Sequence, residues 1–183
     1  AVLVGAPGSS VGEFEAGAAW VLQSGPDGLV LETLILGVQP GESIGAAVAV
    51  GDLDGSGVAD LVIGAPGRDG GIGGIFVIHD APGGFLKASA GQLLQIAGSF
   101  ELGRALAVAD LDGDGNDDKV IQRNSDGNSV AFLLNGTTLV SSGSIAGTDT
   151  GNGWTLKGFP DIDGDQKADQ VLVYSDGRTY GYV

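Results

Sequence analysis

Cysteine and methionine are both absent from the 183 residues, and histidine occurs once. Without cysteine there is no disulfide staple, no thiolate nucleophile and no cysteine-ligated metal, so stability must come from a core, from ions or from assembly. A chain without methionine that opens Ala-Val-Leu-Val-Gly shows no basic segment and apolar stretch of a secretion signal, and is expected to be processed or part of something longer. Positive charge is scarce as well: 8 Lys and Arg stand against 23 Asp and Glu, giving a formal net charge of -15 and a pI near 4.1. A polyphosphate partner would be repelled at long range, which argues against nucleic acid. No apolar run approaches the ~18 uninterrupted residues of a transmembrane helix, so membrane insertion is not expected.

Glycine is what the chain has in excess, 35 residues or about 19% against a usual ~7%, with no triplet period of the collagen kind. Many tight turns are implied. They fall at regular places, because the chain repeats itself. Asp52-Leu-Asp-Gly-Ser-Gly-Val-Ala-Asp60 recurs as Asp110-Leu-Asp-Gly-Asp-Gly-Asn-Asp-Asp118 and again as Asp161-Ile-Asp-Gly-Asp-Gln-Lys-Ala-Asp169, at intervals of 58 and 51 residues. A fainter echo lies at the start, where Val2-Leu-Val-Gly-Ala-Pro7 matches Leu61-Val-Ile-Gly-Ala-Pro66.

Short apolar runs precede and follow each acidic stretch: Ala46 to Val50 and Leu61 to Ile63, Ala105 to Ala109 and Val120 to Ile121, Trp154 to Phe159 and Val171 to Tyr174. The acidic stretches therefore read as loops between two β-strands. Further strands are expected over Ala18 to Leu22, Leu29 to Leu36, Gly74 to Ile78, Leu93 to Ile96, Val130 to Leu134, Thr138 to Ile145 and Thr179 to Val183. Helix caps followed by a 3.6-residue period are missing, so helix should be minor. About four short antiparallel strands per repeated unit is the signature of β-propeller blades. The reading is an all-β chain forming one repeat domain, with a partial blade over 1–43, blades over 44–101 and 102–152, and a partial blade over 153–183. Gly45, Ala46, Ala47, Gly103 and Ala105 suit a crowded innermost strand. The count comes to fourteen strands, with the first unit lacking its inner strand and the last its outer one. Such edges call for a partner, which points to a fragment, a propeller completed by another copy, or an open assembly.

In each loop the side chains at positions 1, 3, 5 and 9, with the backbone carbonyl of position 7, can converge on one hard cation. The candidate ligands are Asp52, Asp54, Ser56, the Val58 carbonyl and Asp60; Asp110, Asp112, Asp114, the Asn116 carbonyl and Asp118; and Asp161, Asp163, Asp165, the Lys167 carbonyl and Asp169. Crowded carboxylates are strongly unfavourable without a counter-ion. Ca2+ suits them, since it takes 6 to 8 oxygens in flexible geometry where magnesium demands a stricter octahedron. Three calcium sites are expected. These are not EF-hands: position 12, which would be a bidentate Glu, is Ile63, Ile121 or Leu172 in a strand. Ser56 replaces a carboxylate in the first loop, and Gln166 stands where the others have Gly57 and Gly115, which ranks the second loop tightest.

These residues resemble the FG-GAP repeats of integrin α-subunit propellers and the FG-GAP/VCBS-type repeats of secreted bacterial proteins. Ile44-Gly-Ala-Ala-Val, the acidic loop and Val62-Ile-Gly-Ala-Pro66 are similar to that family's Phe-Gly, calcium-loop and Gly-Ala-Pro segments, and Leu102-Gly-Arg-Ala-Leu echoes the first. The resemblance implies a calcium-stabilised propeller outside the cytoplasm, serving adhesion, ligand recognition or scaffolding. The expected function is thus a noncatalytic, extracellular calcium-binding propeller segment, with a protein or further copies of itself as partner. The alternative is a carbohydrate-binding propeller or an accessory module of a polysaccharide-active enzyme, with a glycan as partner.

Catalysis is not expected. Gly8-Ser-Ser-Val-Gly12 fits the G-x-S-x-G pattern, but a nucleophile elbow needs a helix behind it and a His and an acid to activate the Ser. The single histidine, His79, ends a strand beside Asp80 and reads as a hairpin-turn residue. Arg68-Asp-Gly70 reads as a loop after Pro66 and Asn135-Gly-Thr137 as a turn. Trp20, Trp154, Tyr174, Tyr180 and Tyr182 read as packing between blades, with a sugar platform as the other use of such rings.

Overall fold

Strand and turn alternate in the computed structural model, which describes residues 1–80, 84–88, 91–95, 101–122, 129–135, 138–145, 154–165 and 167–182. In chain order the elements are β1 (Val2–Ala6), β2 (Ala18–Gly25), β3 (Gly28–Leu36), β4 (Val48–Gly51), β5 (Asp60–Gly64), α1 (Arg68–Gly71), β6 (Ile75–Ile78), β7 (Gly84–Lys87), β8 (Gln92–Leu94), β9 (Leu106–Ala109), β10 (Asp118–Gln122), β11 (Ser129–Asn135), β12 (Thr138–Ser144), β13 (Trp154–Gly158), β14 (Gln170–Tyr174) and β15 (Thr179–Tyr182). The helix is a single turn interrupted by Asp69 and Gly70 in left-handed conformation. Arg68 leaves that turn to pair with fully buried Glu42, whose other oxygen accepts from the Val38 and Gln39 N–H groups at 2.8 and 3.1 Å. Expected strand ends at Ile96 and Val183, the turn residues Gly136 and Thr137, and Gln166 lie outside the described residues.

The strands form four sheets in sequence order: β1-β2-β3-β7, β4-β5-β6-β8, β9-β10-β11-β12 and β13-β14-β15. These are successive propeller blades, and among the described residues the strands pair antiparallel in every case except one. Equivalent positions follow from register: Ile63 pairs with Val48 and Phe76 in the second blade, as Ile121 pairs with Leu106 and Val130 in the third. The central strand β5 is buried along its whole length, which is why it reads as a continuous apolar run rather than an alternating one.

The exception corrects the strand count. Fifteen strands are described, the additional one being β7, which pairs in parallel with β3 of the preceding blade, Thr33 opposite Gly84 through Leu36 opposite Lys87. The sequence signals no strand between Ile78 and Leu93. Nothing local announces it, because its partner lies some fifty residues upstream across a blade boundary. It covers the outer edge of the first blade, while β1 corresponds to the second strand of the next blade.

Two core clusters fill the junctions. Ala19, Val21 and Ile35 of the first blade pack with Ile44, Ile63, Phe76 and Ile78 of the second. Leu53, Val62 and Val77 of the second pack with Leu102, Ile121 and Leu134 of the third. The backbones themselves touch at these junctions. A Cβ on Gly5 would fall 2.0 Å from the Gly45 carbonyl oxygen, and one on Gly64 would fall 1.8 Å from that of Gly103. Gly45 and Gly103 adopt φ of +86° and +92°, so both partners in each contact require glycine. Parallel bridges from Gly17 to Ile44 and from Gly73 to Leu102 repeat the same seam.

Candidate metal centres

Each acidic loop is a connection between the first two strands of a blade, held in shape by its own carboxylates. The first follows β4 and runs into β5, the second joins β9 to β10, and the third lies between β13 and β14. Gly55, Gly57, Gly113, Gly115 and Gly164 all have positive φ, the conformation that folds a short loop back on itself. Position 5 closes the turn each time: the N–H of Val58 donates to Ser56 Oγ at 3.2 Å, that of Asn116 to Asp114 Oδ1 at 2.8 Å, and that of Lys167 to Asp165 Oδ1 at 2.9 Å.

Position 9 is the anchor. Asp60 and Asp118 are fully buried and Asp169 nearly so. One oxygen of each accepts from the N–H at position 2, Leu53 at 2.9 Å, Leu111 at 2.9 Å and Ile162 at 2.7 Å. The other oxygen of Asp60 accepts from Asp80 at 3.1 Å, and that of Asp118 from Leu134 at 2.7 Å, so these carboxylates also tie the loop to the end of the third strand. Burial pushes the Asp118 carboxyl up; the Leu134 and Leu111 N–H groups pull it down, and the Asp112 and Asp110 charges push it further up. A cation would relieve the burial and the repulsion together.

Asp110, Asp112 and Asp118 each present a ligand atom within 4.8 Å of the others, and so do Asp161, Asp163 and Asp169. Oxygens that share an ion at about 2.3 to 2.6 Å can lie up to ~5 Å apart, so both sets fit calcium in spacing and in donor type. Positions 1, 3 and 9 are thus brought together in the second and third loops. Asp114 and Asp165 are instead engaged at the turn, and the Val58 carbonyl accepts from Ser56 Oγ at 3.4 Å.

The first loop is assembled differently. Asp54 and Asp60 meet His79 rather than Asp52, with the imidazole Nδ1 3.5 Å from Asp54 and 3.1 Å from Asp60. Asp52 accepts from the Ser56 N–H at 3.0 Å and the Gly57 N–H at 2.8 Å, much as Asp110 accepts from Gly113 at 2.7 Å and Gly115 at 3.0 Å, so the difference lies in the groups that Asp54 and Asp60 meet. Hydrogen bonds from Ser56 hold Asp54 below the usual carboxylate range, with His79 adding to the effect. His79, which reads from the sequence as a hairpin-turn residue, lies in the turn just after β6 and also reaches into this loop. Its single-letter context carried no sign of that, because the loop it enters lies some twenty residues earlier and meets it only through the β5–β6 pairing.

The remaining candidates stay apart. Ser9 and Ser10 accept from the Val11 and Glu15 N–H groups within one exposed loop. Trp20 lies in the first blade, while Tyr174 and Tyr180 lie in the fourth, where the Arg178 guanidinium sits 4.8 Å from the Tyr174 ring centre. The side chains of Trp154 and Tyr182 lie outside the described residues. Among the described residues no helix is long and apolar enough to cross a membrane.

Residues 44–78 match the FG-GAP repeat. Over 135 residues, 66% of this chain, the sequence is 34% identical to phosphatidylinositol-glycan-specific phospholipase D of Rattus norvegicus, of which the match covers 16%. It is 30% identical over 158 residues, 79% of this chain, to integrin alpha-7 of Homo sapiens, covering 13% of that protein. The chain spans about one sixth or less of the length of these relatives. The matched segment of 44–78 contains the first acidic loop, the Gly45 contact and Gly64.

Proposed function

From the repeats of FG-GAP type that this chain carries, as integrin α propellers do, we propose a noncatalytic, calcium-stabilised propeller segment that works outside the cytoplasm in adhesion, protein interaction or self-assembly. The observation that supports this reading is the meeting of positions 1, 3 and 9 in the second and third loops, all carboxylates within 4.8 Å. Calcium would be held there by Asp110, Asp112 and Asp118 and by Asp161, Asp163 and Asp169, and would supply charge compensation rather than chemistry. In the first loop it would be held by Asp54 and Asp60. The protein's own part is mechanical: Asp60, Asp118 and Asp169 fix the position-2 backbone, so an ion on the same carboxylates locks two strands of a blade together. Affinities of order 10⁻⁴ to 10⁻³ M, usual for extracellular modules, would leave the sites filled only where calcium is plentiful.

The test is thermal unfolding of the chain in chelator and in excess calcium. At about tenfold over Kd, each site adds ~1.4 kcal/mol. Three such sites should raise the melting temperature by about 10 °C in a chain of this size. A melting temperature that ignores calcium defeats the stabilising role. The relatives' names connect this kind of module both to an integrin and to a phospholipase, so adhesion is the part that a binding assay against candidate surface proteins must decide.

A further inference from the structure

Consecutive acidic loops are joined to each other, and one junction carries an additional strut. The N–H of Asp117, at position 8 of the second loop, donates to the Asp52 carbonyl at 3.0 Å. In return, the Asp52 N–H donates to Asp117 Oδ2 at 2.8 Å. The first residue of loop one is therefore gripped at both its backbone groups by one residue of loop two. Between the second and third loops only half of this exists: the Ala168 N–H donates to the Asp110 carbonyl at 2.9 Å, and alanine has no carboxylate to return. The approach is close enough that a Cβ on Gly51 would lie 2.5 Å from Asp117 Oδ2, so the strand before the loop is shaped to admit this carboxylate.

We propose that Asp117 is a positioning residue that couples the first two loops, so that calcium in the second raises the affinity of the first. This rests on the calcium reading above. The peptide unit joining Asn116 to Asp117 directs its N–H at Asp52, so planarity turns its carbonyl the opposite way, away from Asp52. That carbonyl is the position-7 group that the sequence pattern offers as a ligand. An ion on it polarises the same peptide and strengthens the bond that the N–H makes. Asp118, adjacent in sequence, is fixed by the same ion. Asp117 then holds the Asp52 backbone, and the Asp52 side chain holds the Ser56 and Gly57 N–H groups. The first loop thus meets its own cation with less backbone freedom left to lose.

The experiment is a calcium titration of the full chain followed by amide NMR, reading Ser56 and Gly57 for the first loop and Gly113 and Gly115 for the second. Emptying the second loop with Asp112→Ala should weaken the first loop by about fivefold, the low end of typical couplings. In an Asp117→Ala background the first loop should already be weak, and adding Asp112→Ala should leave it unchanged. Asp117→Asn keeps an oxygen acceptor and loses the charge; it should retain the coupling, which separates the strut from a simple change of field. A first loop indifferent to Asp112→Ala, or equally sensitive to it with Asp117→Ala, overturns the proposal. Binding at both loops without coupling removes this inference alone. A wild-type chain whose loops show no calcium response removes the calcium reading along with it.

Discussion

The first and second acidic loops share a motif, a strand frame and a buried anchor, yet they gather different groups. In the second, three carboxylates face each other; in the first, an imidazole takes the third place. The difference arises outside the motif. Register aligns His79, just after β6, with Leu133 in β11, so one blade has an imidazole beside its loop where the next has an aliphatic residue at the matching position. A nine-residue pattern therefore specifies the turn and its anchor, while the neighbouring strand decides what the turn can hold.

The comparison is broken most forcefully at the anchor. Asp118→Ala strips the partners from the half-buried Leu111 and the buried Leu134 N–H groups, and Asp60→Ala does so for buried Leu53 and for Asp80. Bonds to a buried charge are worth roughly 1.5 to 3 kcal/mol, so each variant should lose about 5 to 10 °C in melting temperature. The loss should appear in chelator as well as in calcium; a loss confined to calcium would mean that the anchor acts only through the ion. Next in size, Asp112→Ala should abolish the part of the calcium-induced rise that belongs to the second loop, about 3 to 6 °C, with little change in chelator. Ser56→Ala should cost less, because Ser56 contributes a turn bond in an exposed segment. Equal effects would refute the ranking of the second loop as tightest. The finest cut is His79→Leu, which gives the first loop the neighbour that the second one has. Its calcium affinity should rise about threefold, as expected for removing a group that occupies the space between two ligands. A fall, measured by calorimetry, would make the imidazole a ligand itself.

What the sequence discloses is local in origin, though not complete even there, since Asp114 and Asp165 are engaged at the turn instead of beside positions 1, 3 and 9. The strand pairs around each loop, the turn glycines and the position-9 aspartates follow from spacing and alternation, because each depends on residues within a dozen places of one another. The other unforeseen features join distant segments. His79 reaches its loop through strand pairing, β7 adds to a sheet that its own blade does not contain, and Asp117 grips a residue in another blade. Gly45 and Gly103 read as small residues for a tight place, whereas the reason for glycine at their partners, Gly5 and Gly64, lies in the adjoining blade and not in their own strands. In the third blade the matching position is Gln122, so the sequence also signals that this seam is not repeated without change.

Those paired glycines define what can be exchanged. Because Gly64 is shaped by Gly103 and Gly5 by Gly45, a cut placed between sheets would separate two halves of one fit. A transplantable module would have to run from one such contact to the next, carrying the end of one blade with the beginning of its successor. Chimeras joined inside that span should assemble, whereas those joined at the apparent blade borders would need a matched glycine from each parent.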